Sequence, residues 1–97
     1  MGIFALTYVY TDNAAGRDEH RPAHKDHITS LAAKDVVLMS GPLGPHETPG
    51  ALIVVRADDK ASALAHTATD PFRVHGLVAS VTATEWVPML GRLTQEI

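Results

Sequence analysis

Two short segments of the chain carry side chains suited to acid–base chemistry. Arg21-Pro22-Ala23-His24 supplies an imidazole in the first third of the chain, and Asp70-Pro71-Phe72 supplies a carboxylate in the last third. An imidazole oriented by a carboxylate is the smallest unit that moves protons near neutral pH. If the folded chain brings them together, the pair can take a proton from a carbon or hydroxyl activated by a neighbouring carbonyl. We therefore predict His24 and Asp70 as catalytic residues.

The same two residues also have a structural interpretation. A carboxylate before a proline can accept backbone N–H groups at a turn, and a half-buried histidine can be a satisfied core residue. His24, Ile28 and Leu31 fall at i, i+4 and i+7, on the helix face that should pack inward. This position at the start of the inward face favours the catalytic interpretation, because the imidazole is sheltered but near the mouth of a cleft.

Other kinds of site find less support in the residues. His20, His24 and His27 have the spacing H-x3-H-x2-H, and i, i+4 pairs can bind zinc. Three ligands on one helix make a poor tetrahedron, so we predict a histidine-rich helix end rather than a metal site. The glycines between residues 41 and 50 lack the G-x-G-x-x-G order, and no G-x-S-x-G segment is present. We expect no metal and no cofactor.

Candidate substrate-binding residues surround the predicted pair. Arg21 has the guanidinium that binds carboxylates with two hydrogen bonds, although an ion pair with Asp18 or Glu19 is an equal alternative. Phe72 suits an apolar wall, and core packing is its alternative role. The remaining candidates are Tyr8, an aromatic residue of the first predicted strand, and Ser40 and Gly41 at the end of the second.

Six elements are predicted along the chain. Alternating or continuous apolar residues indicate four strands: Ile3 to Tyr10, Val36 to Ser40, Ala51 to Val55 and Leu77 to Trp86. The first helix should begin between Asp18 and Pro22, because proline is tolerated in a first turn. The second should follow an N-cap at Asp58-Asp59 and end at Asp70, which precedes a proline.

The order β-α-β-β-α-β predicts an α+β fold, the ferredoxin-like arrangement of a four-stranded antiparallel sheet with both helices on one face. The first strand is apolar on both faces, and so is the third strand around Leu52 to Val55. A sheet with two apolar faces needs a second cover. A second copy of the same sheet is the simplest cover, so we predict a homodimer through the sheet face.

Composition narrows the class of protein. The 97 residues are expected to form one domain, 1–97, and the 45% apolar content is ordinary for a globular chain. The net charge of −3, without a basic run, argues against a nucleic-acid partner. The chain has no cysteine, and no segment approaches the ~20 apolar residues of a membrane span. We expect a cytoplasmic protein with no membrane partner.

The chain resembles the YciI-like, or YCII-related, family of small dimeric α+β-barrel proteins. The resemblance rests on Arg21 to His24, Ser40-Gly41-Pro42, Gly50, Asp70-Pro71-Phe72 and Gly76-Leu77, in the family's order. It implies a ferredoxin-like fold that dimerises through its sheets, with an active site on His24 and Asp70. Family members with an assigned activity are similar to muconolactone isomerase-like enzymes, and they include a dehydrochlorinase of aromatic degradation.

Two functions from different classes follow. The first is a cofactor-free lyase or isomerase for a small oxygenated ring or lactone, in which His24 carries the proton and Asp70 orients it. The second is a non-catalytic dimer that binds a small ligand or serves as an accessory protein, since this fold hosts many functions. Haem binding is a weaker third interpretation, because 5% aromatic residues offer little to line a large cavity.

Overall fold

The chain folds in the order predicted, with two additional short helices. The computed structural model describes all residues, Met1–Ile97. Its elements are β1 Gly2–Tyr10, α1 Ala14–Ala33, β2 Val37–Pro42, β3 Gly50–Ala57, α2 Lys60–Thr67, α3 Pro71–Val74 and β4 Val78–Trp86, followed by a 3-10 helix at Arg92–Glu96. The four strands form one antiparallel sheet in the order β2-β3-β1-β4, the ferredoxin-like α+β arrangement predicted from the sequence.

One face of the sheet carries the core. Phe4, Leu6 and Tyr8 alternate along β1 and are buried, because β1 pairs with β3 on one side and β4 on the other. Leu31 from α1 and Ala63 from α2 complete the same apolar cluster. Both long helices therefore cover this face, as the β-α-β-β-α-β order predicts.

Helix α1 begins earlier than its proline indicates. The side chain of Asn13 caps the helix by accepting a hydrogen bond from the N–H of Gly16 at 2.9 Å. Pro22 therefore lies inside the helix, and the predicted start between Asp18 and Pro22 is wrong. Gly16 belongs to the first turn of this helix. A Cβ there would lie 2.7 Å from the side chain of Leu77, so glycine lets α1 approach the start of β4.

The other face of the sheet is only partly apolar. Strand register places Thr82 opposite Thr7 and Ser80 opposite Val9, so β4 contributes polar side chains to this face. Near β2 and β3, the segment after Trp86 lines a cavity together with Met39 and Val54, and Val54 is buried. The chain thus covers part of this face itself, which the prediction of two wholly apolar faces did not include.

No helix combines the length and the apolar character that a membrane crossing requires.

Candidate functional site

The structure brings the predicted histidine and aspartate into direct contact. The Nδ1 atom of His24 lies 2.8 Å from Oδ1 of Asp70, across 46 residues of sequence. The same oxygen accepts the backbone N–H of Phe72 at 3.0 Å, and Oδ2 accepts the hydroxyl of Tyr8 at 2.8 Å. Asp70 itself has no solvent exposure. The site is therefore a buried carboxylate with three hydrogen-bond donors, one of which is the imidazole.

A very short helix holds Asp70 in this position. Asp70 is the N-cap of α3, and Pro71 occupies the first turn, where its missing N–H is not needed. At the other end, Gly76 has a φ of 69°, and the N–H groups of Gly76 and Leu77 bond to the carbonyls of Arg73 and Phe72. This pattern is a Schellman motif. It turns the chain directly into β4, so both ends of α3 are fixed by local sequence.

The hydrogen bonds keep Asp70 ionised. Burial alone raises the pKa of this carboxyl, but the hydrogen bonds from His24, the Phe72 N–H and the Tyr8 hydroxyl outweigh burial and leave the pKa below its usual range. An ionised carboxylate only accepts hydrogen bonds, so Nδ1 of His24 must carry the proton that the two share. The neutral imidazole then has its lone pair on Nε2, the form that a general base needs.

The plane of the imidazole is also fixed. The rings of His24 and Phe72 stack with centroids 4.0 Å apart and planes 1° apart. Tyr10 packs edge-on against the other aromatic rings of the site, Phe72 and Tyr8. With Nδ1 held by Asp70 and one ring face covered by Phe72, the imidazole has little freedom to rotate.

Burial keeps the two tyrosines of the site protonated. Burial and then the negative charge of Asp70 raise the pKa of both Tyr8 and Tyr10 above the ordinary value for a phenol. Tyr8 uses its hydroxyl to donate to Asp70. The hydroxyl of Tyr10, by contrast, has no hydrogen-bond partner within the protein. Tyr10 lines a cleft beside His24.

His24 opens onto a cleft of about 510 Å³ between α1, β2 and α3. Helix α1 contributes Arg21, His24 and Lys25 to its wall, and β2 contributes Ser40 and Gly41. Because Nδ1 points to Asp70, Nε2 on the opposite side of the ring is the nitrogen available to a molecule in the cleft. The site thus places an imidazole at the wall of a space large enough for a small ring compound.

The predicted binding residues have different positions in this cleft. Arg21, Ser40, Gly41 and Phe72 all line it, and Arg21 also forms the ion pair with Asp18 that the sequence left as an alternative. Tyr8 does not line the cleft, since it is fully buried behind Asp70. The expectation that Tyr8 is a wall residue is corrected here, because its ring is fully buried in the core and its hydroxyl is bound to Asp70.

A family profile for the YCII-related domain matches residues 1–87. The chain belongs to the YCII-related family. Among curated proteins there is no significant match. The family assignment agrees with the resemblance seen in the sequence.

Solved structures with the same fold support the architecture. The chain is similar to the 5-chloro-2-hydroxyhydroquinone dehydrochlorinase of Burkholderia phenoliruptrix AC1100, solved in complex with 2,5-dihydroxybenzoquinone, with a TM-score of 0.74 and 20% identity over 88% of this chain and 93% of that one. A NIPSNAP domain protein from Burkholderia xenovorans has a TM-score of 0.55 at 15% identity, covering 92% and 95% of the two chains. An antibiotic biosynthesis monooxygenase has a TM-score of 0.54 at 13% identity, covering 91% and 100%. At these identities the likeness establishes the fold.

Within this YCII-related domain, the three histidines of α1 face three different partners. His20 stacks on His75 with ring centroids 3.7 Å apart. His24 contacts Asp70, and Nε2 of His27 lies 3.1 Å from the backbone carbonyl of His66. The spacing H-x3-H-x2-H therefore spreads the imidazoles over separate contacts.

Sequence reasoning missed helix α3 and several residues of the cleft wall, among them Tyr10 and Lys25. The signal for α3 was present, because Asp70-Pro71 followed by Gly76 is the sequence of an N-cap, a first-turn proline and a C-terminal glycine. The sequence did not predict that Asp70 accepts the hydrogen bond from the Tyr8 hydroxyl, although a buried tyrosine usually has a hydrogen-bond partner. Tyr10 and Lys25 line the cleft without any motif that marks them.

Proposed function

We propose that this protein is a cofactor-free lyase or isomerase that acts on a small oxygenated ring or lactone derived from an aromatic compound. One observation carries the proposal: His24 lines a cleft while its Nδ1 is bound to a buried carboxylate, which leaves Nε2 as the free nitrogen of the ring. A dehydrochlorinase with the same fold, solved with a quinone, supports this class of reaction and substrate.

The proposed reaction begins when Nε2 of His24 removes a proton from a carbon next to a carbonyl group. The C–H electron pair moves to the carbonyl oxygen as an enolate, and the imidazole becomes an imidazolium. In an isomerisation, Nε2 returns the proton to another carbon of the substrate. In an elimination, the electron pair forms a C=C bond as a leaving group such as chloride departs with its own electrons. Either sequence returns the imidazole to its starting form once the proton leaves.

Each neighbour of His24 has a distinct role in this proposal. Ionised Asp70 holds the Nδ1–H tautomer and stabilises the imidazolium that forms, while Tyr8 and the N–H of Phe72 keep Asp70 ionised. Arg21 and Ser40 offer hydrogen-bond donors to substrate oxygens from the cleft wall, and the edge of Phe72 offers apolar contact.

The test is solvent deuterium exchange into candidate substrates, followed by ¹H NMR. Lactones and hydroxyquinones are incubated with the protein in D₂O, and a base of this kind replaces the acidic C–H even when turnover is slow. We expect His24→Gln and Asp70→Asn to lower the exchange rate about 10²–10⁴-fold. His20→Gln is the matched control, since it removes an imidazole one turn away that does not line the cleft.

The outcomes separate the two functions predicted from sequence. Exchange that depends on His24 and Asp70 supports an enzyme. Ligands that shift the resonances of cleft residues without any exchange would instead make the protein a binding module. Equal exchange by wild type and His24→Gln would remove His24 from the role of base.

We also propose that the chain forms a homodimer through the face of the sheet opposite the helices. The support is the exposure of Val9 and Leu52, two apolar side chains outside the cavity that the C-terminal segment lines, and of Met39, which lines that cavity and is still exposed. A second copy would cover them. Light scattering after size exclusion at micromolar concentration checks this, and a mass of one chain would contradict it. A Leu52→Lys variant should shift a dimer toward monomer.

A further inference from the structure

The cleft beside His24 carries positive charge on its wall and no carboxylate. Of the 11 residues that line it, two are cationic, Arg21 and Lys25, and none is Asp or Glu. The whole chain is acidic, with a net charge of −3. This local balance is the reverse of the overall one, so the cleft is built to attract a negative group.

The two cations differ in how freely they can meet a ligand. Arg21 and Lys25 lie three residues before and one residue after His24 on α1, so both flank the imidazole. Arg21 is paired with Asp18. Lys25 forms no ion pair with the protein. The ammonium group of Lys25 is therefore the free positive charge of the cleft.

Tyr10 adds a neutral hydrogen-bond donor to this wall. Its ring packs under the guanidinium of Arg17, 4.8 Å from the ring centroid, and its hydroxyl has no partner in the protein. Burial and the charge of Asp70 raise the pKa of Tyr10, while the charges of Arg17 and Arg21 act in the opposite direction. The phenol stays protonated and can donate to an oxyanion.

The buried carboxylate of Asp70 lies next to His24 but does not line the cleft. Asp70 is fully buried behind His24, and its oxygens accept three hydrogen bonds. On the surface of α1, Asp18 is paired with Arg21, and Asp26 follows Lys25 in the sequence without lining the cleft. A ligand in the cleft therefore meets Lys25, Arg21 and Tyr10 before it meets any of these carboxylates.

We propose that the substrate is an oxyanion at neutral pH, a carboxylate or an ionised ring hydroxyl, and that Lys25 is a specificity-determining residue that binds this group. This inference rests on the proposed function, because it places the oxyanion beside the carbon that His24 deprotonates. Arg21 and Tyr10 bind the same group from the neighbouring wall. A neutral ring of the same shape would lack the ion pair with Lys25 and would bind more weakly.

The test compares matched anionic and neutral probes by calorimetry or NMR titration. 2,5-Dihydroxybenzoquinone, a vinylogous acid, is paired with 2,5-dimethoxybenzoquinone, which cannot ionise. A γ-lactone carboxylic acid is paired with its methyl ester. These two pairs distinguish an ionised ring hydroxyl from a carboxylate. We expect at least one acid to bind about tenfold more tightly than its neutral partner, with affinity falling as salt increases.

Variants then test which cationic side chain binds the anion. Lys25→Gln should lower the affinity for the anion about fivefold and leave that for the neutral partner unchanged. Lys34→Gln removes the same charge from the C-cap of the same helix, and Lys34 lines a different cavity, so this variant is the matched control. Asp18→Asn frees Arg21 and should raise the anion's affinity about twofold.

The proposal is overturned if anion and neutral partner bind alike, if no anion binds at millimolar concentration, or if Lys25→Gln equals Lys34→Gln. These outcomes are independent of deuterium exchange. If His24→Gln abolishes exchange but Lys25→Gln has no selective effect, the proposed reaction stands and the oxyanion preference fails. If Lys25→Gln is selective but exchange never occurs, the oxyanion site stands as a binding site.

Discussion

Helix α1 makes two imidazole stacks, one turn apart, and they differ in what lies behind each ring. His24 stacks on Phe72, and its Nδ1 is bound to the buried Asp70. His20 stacks on His75, and the carboxylate nearest to it is Glu19 at 3.9 Å, mostly exposed to solvent. The side chain of His24 is 15% exposed, compared with 26% for His20.

The two rings differ in their hydrogen-bond partner rather than in their stacking. Both imidazoles are held by stacking, but only His24 has a hydrogen bond that selects its tautomer. The selecting carboxylate is fixed by α3, whose N-cap is Asp70 itself. A buried, fully hydrogen-bonded carboxylate therefore fixes the tautomer of His24, which the proposed function requires of a base.

Among these changes, removal of the Asp70 carboxylate beside His24 should destabilise the fold most. Asp70→Ala leaves the hydroxyl of Tyr8 and the N–H of Phe72 without acceptors inside the protein. We expect a loss of about 3 kcal/mol in the free energy of unfolding, measured by urea denaturation. Asp70→Asn keeps an acceptor and should lose less. An Asp70→Ala variant as stable as wild type would show that these hydrogen bonds contribute little.

Loss of the Tyr8 hydroxyl should cause the next largest decrease in stability. Tyr8→Phe removes the hydrogen bond to Oδ2 of Asp70, and we expect a loss of about 1–2 kcal/mol in urea denaturation. Tyr10→Phe is the control, because the Tyr10 hydroxyl has no protein partner. The two variants should therefore differ, and equal stability would argue against a role for the Tyr8 hydroxyl in holding the carboxylate.

Acid should weaken the fold through Asp70. Burial raises the pKa of this carboxyl, but its hydrogen bonds bring it below the ordinary value of 3.8. A lowered pKa in the folded state stabilises the fold above the unfolded pKa, and this contribution is lost as pH falls through the folded pKa. The free energy of unfolding should thus decrease below about pH 4 in wild type. The decrease should be smaller in Asp70→Asn, and an identical acid limb in both proteins would contradict this.

Changes in the stack of His20 on His75 should affect stability least. His20→Ala removes the ring that packs on His75 but leaves Asp70 and its donors in place. We expect a change of no more than about 0.5 kcal/mol in stability, measured by thermal or urea denaturation. The rate of deuterium exchange should stay at the wild-type value. A large loss of exchange in His20→Ala would mean that the two stacks act as one unit.

Several parts of the site followed from the sequence because they depend on local signals. The inward position of His24 came from its spacing with Ile28 and Leu31, and a proline after Asp70 marked a helix boundary. The start of α1 was predicted too late, because Pro22 is compatible with a helix interior when the capping residue lies further upstream at Asn13. Proline limits the local backbone, but it does not say how many turns precede it.

The sequence by itself determined the order of the four strands and the two longer helices and the inward position of His24, since these depend on alternation, spacing and backbone geometry over a few residues. The signals that end α3 are equally local, although the prediction missed that helix. Only the tertiary structure decided that Tyr8, His24 and Asp70 meet, that Tyr8 is buried behind the carboxylate, and that Lys25 reaches the cleft wall. Those contacts join residues up to 62 positions apart. Chain spacing does not encode such a distance, because it depends on how the sheet and helices pack.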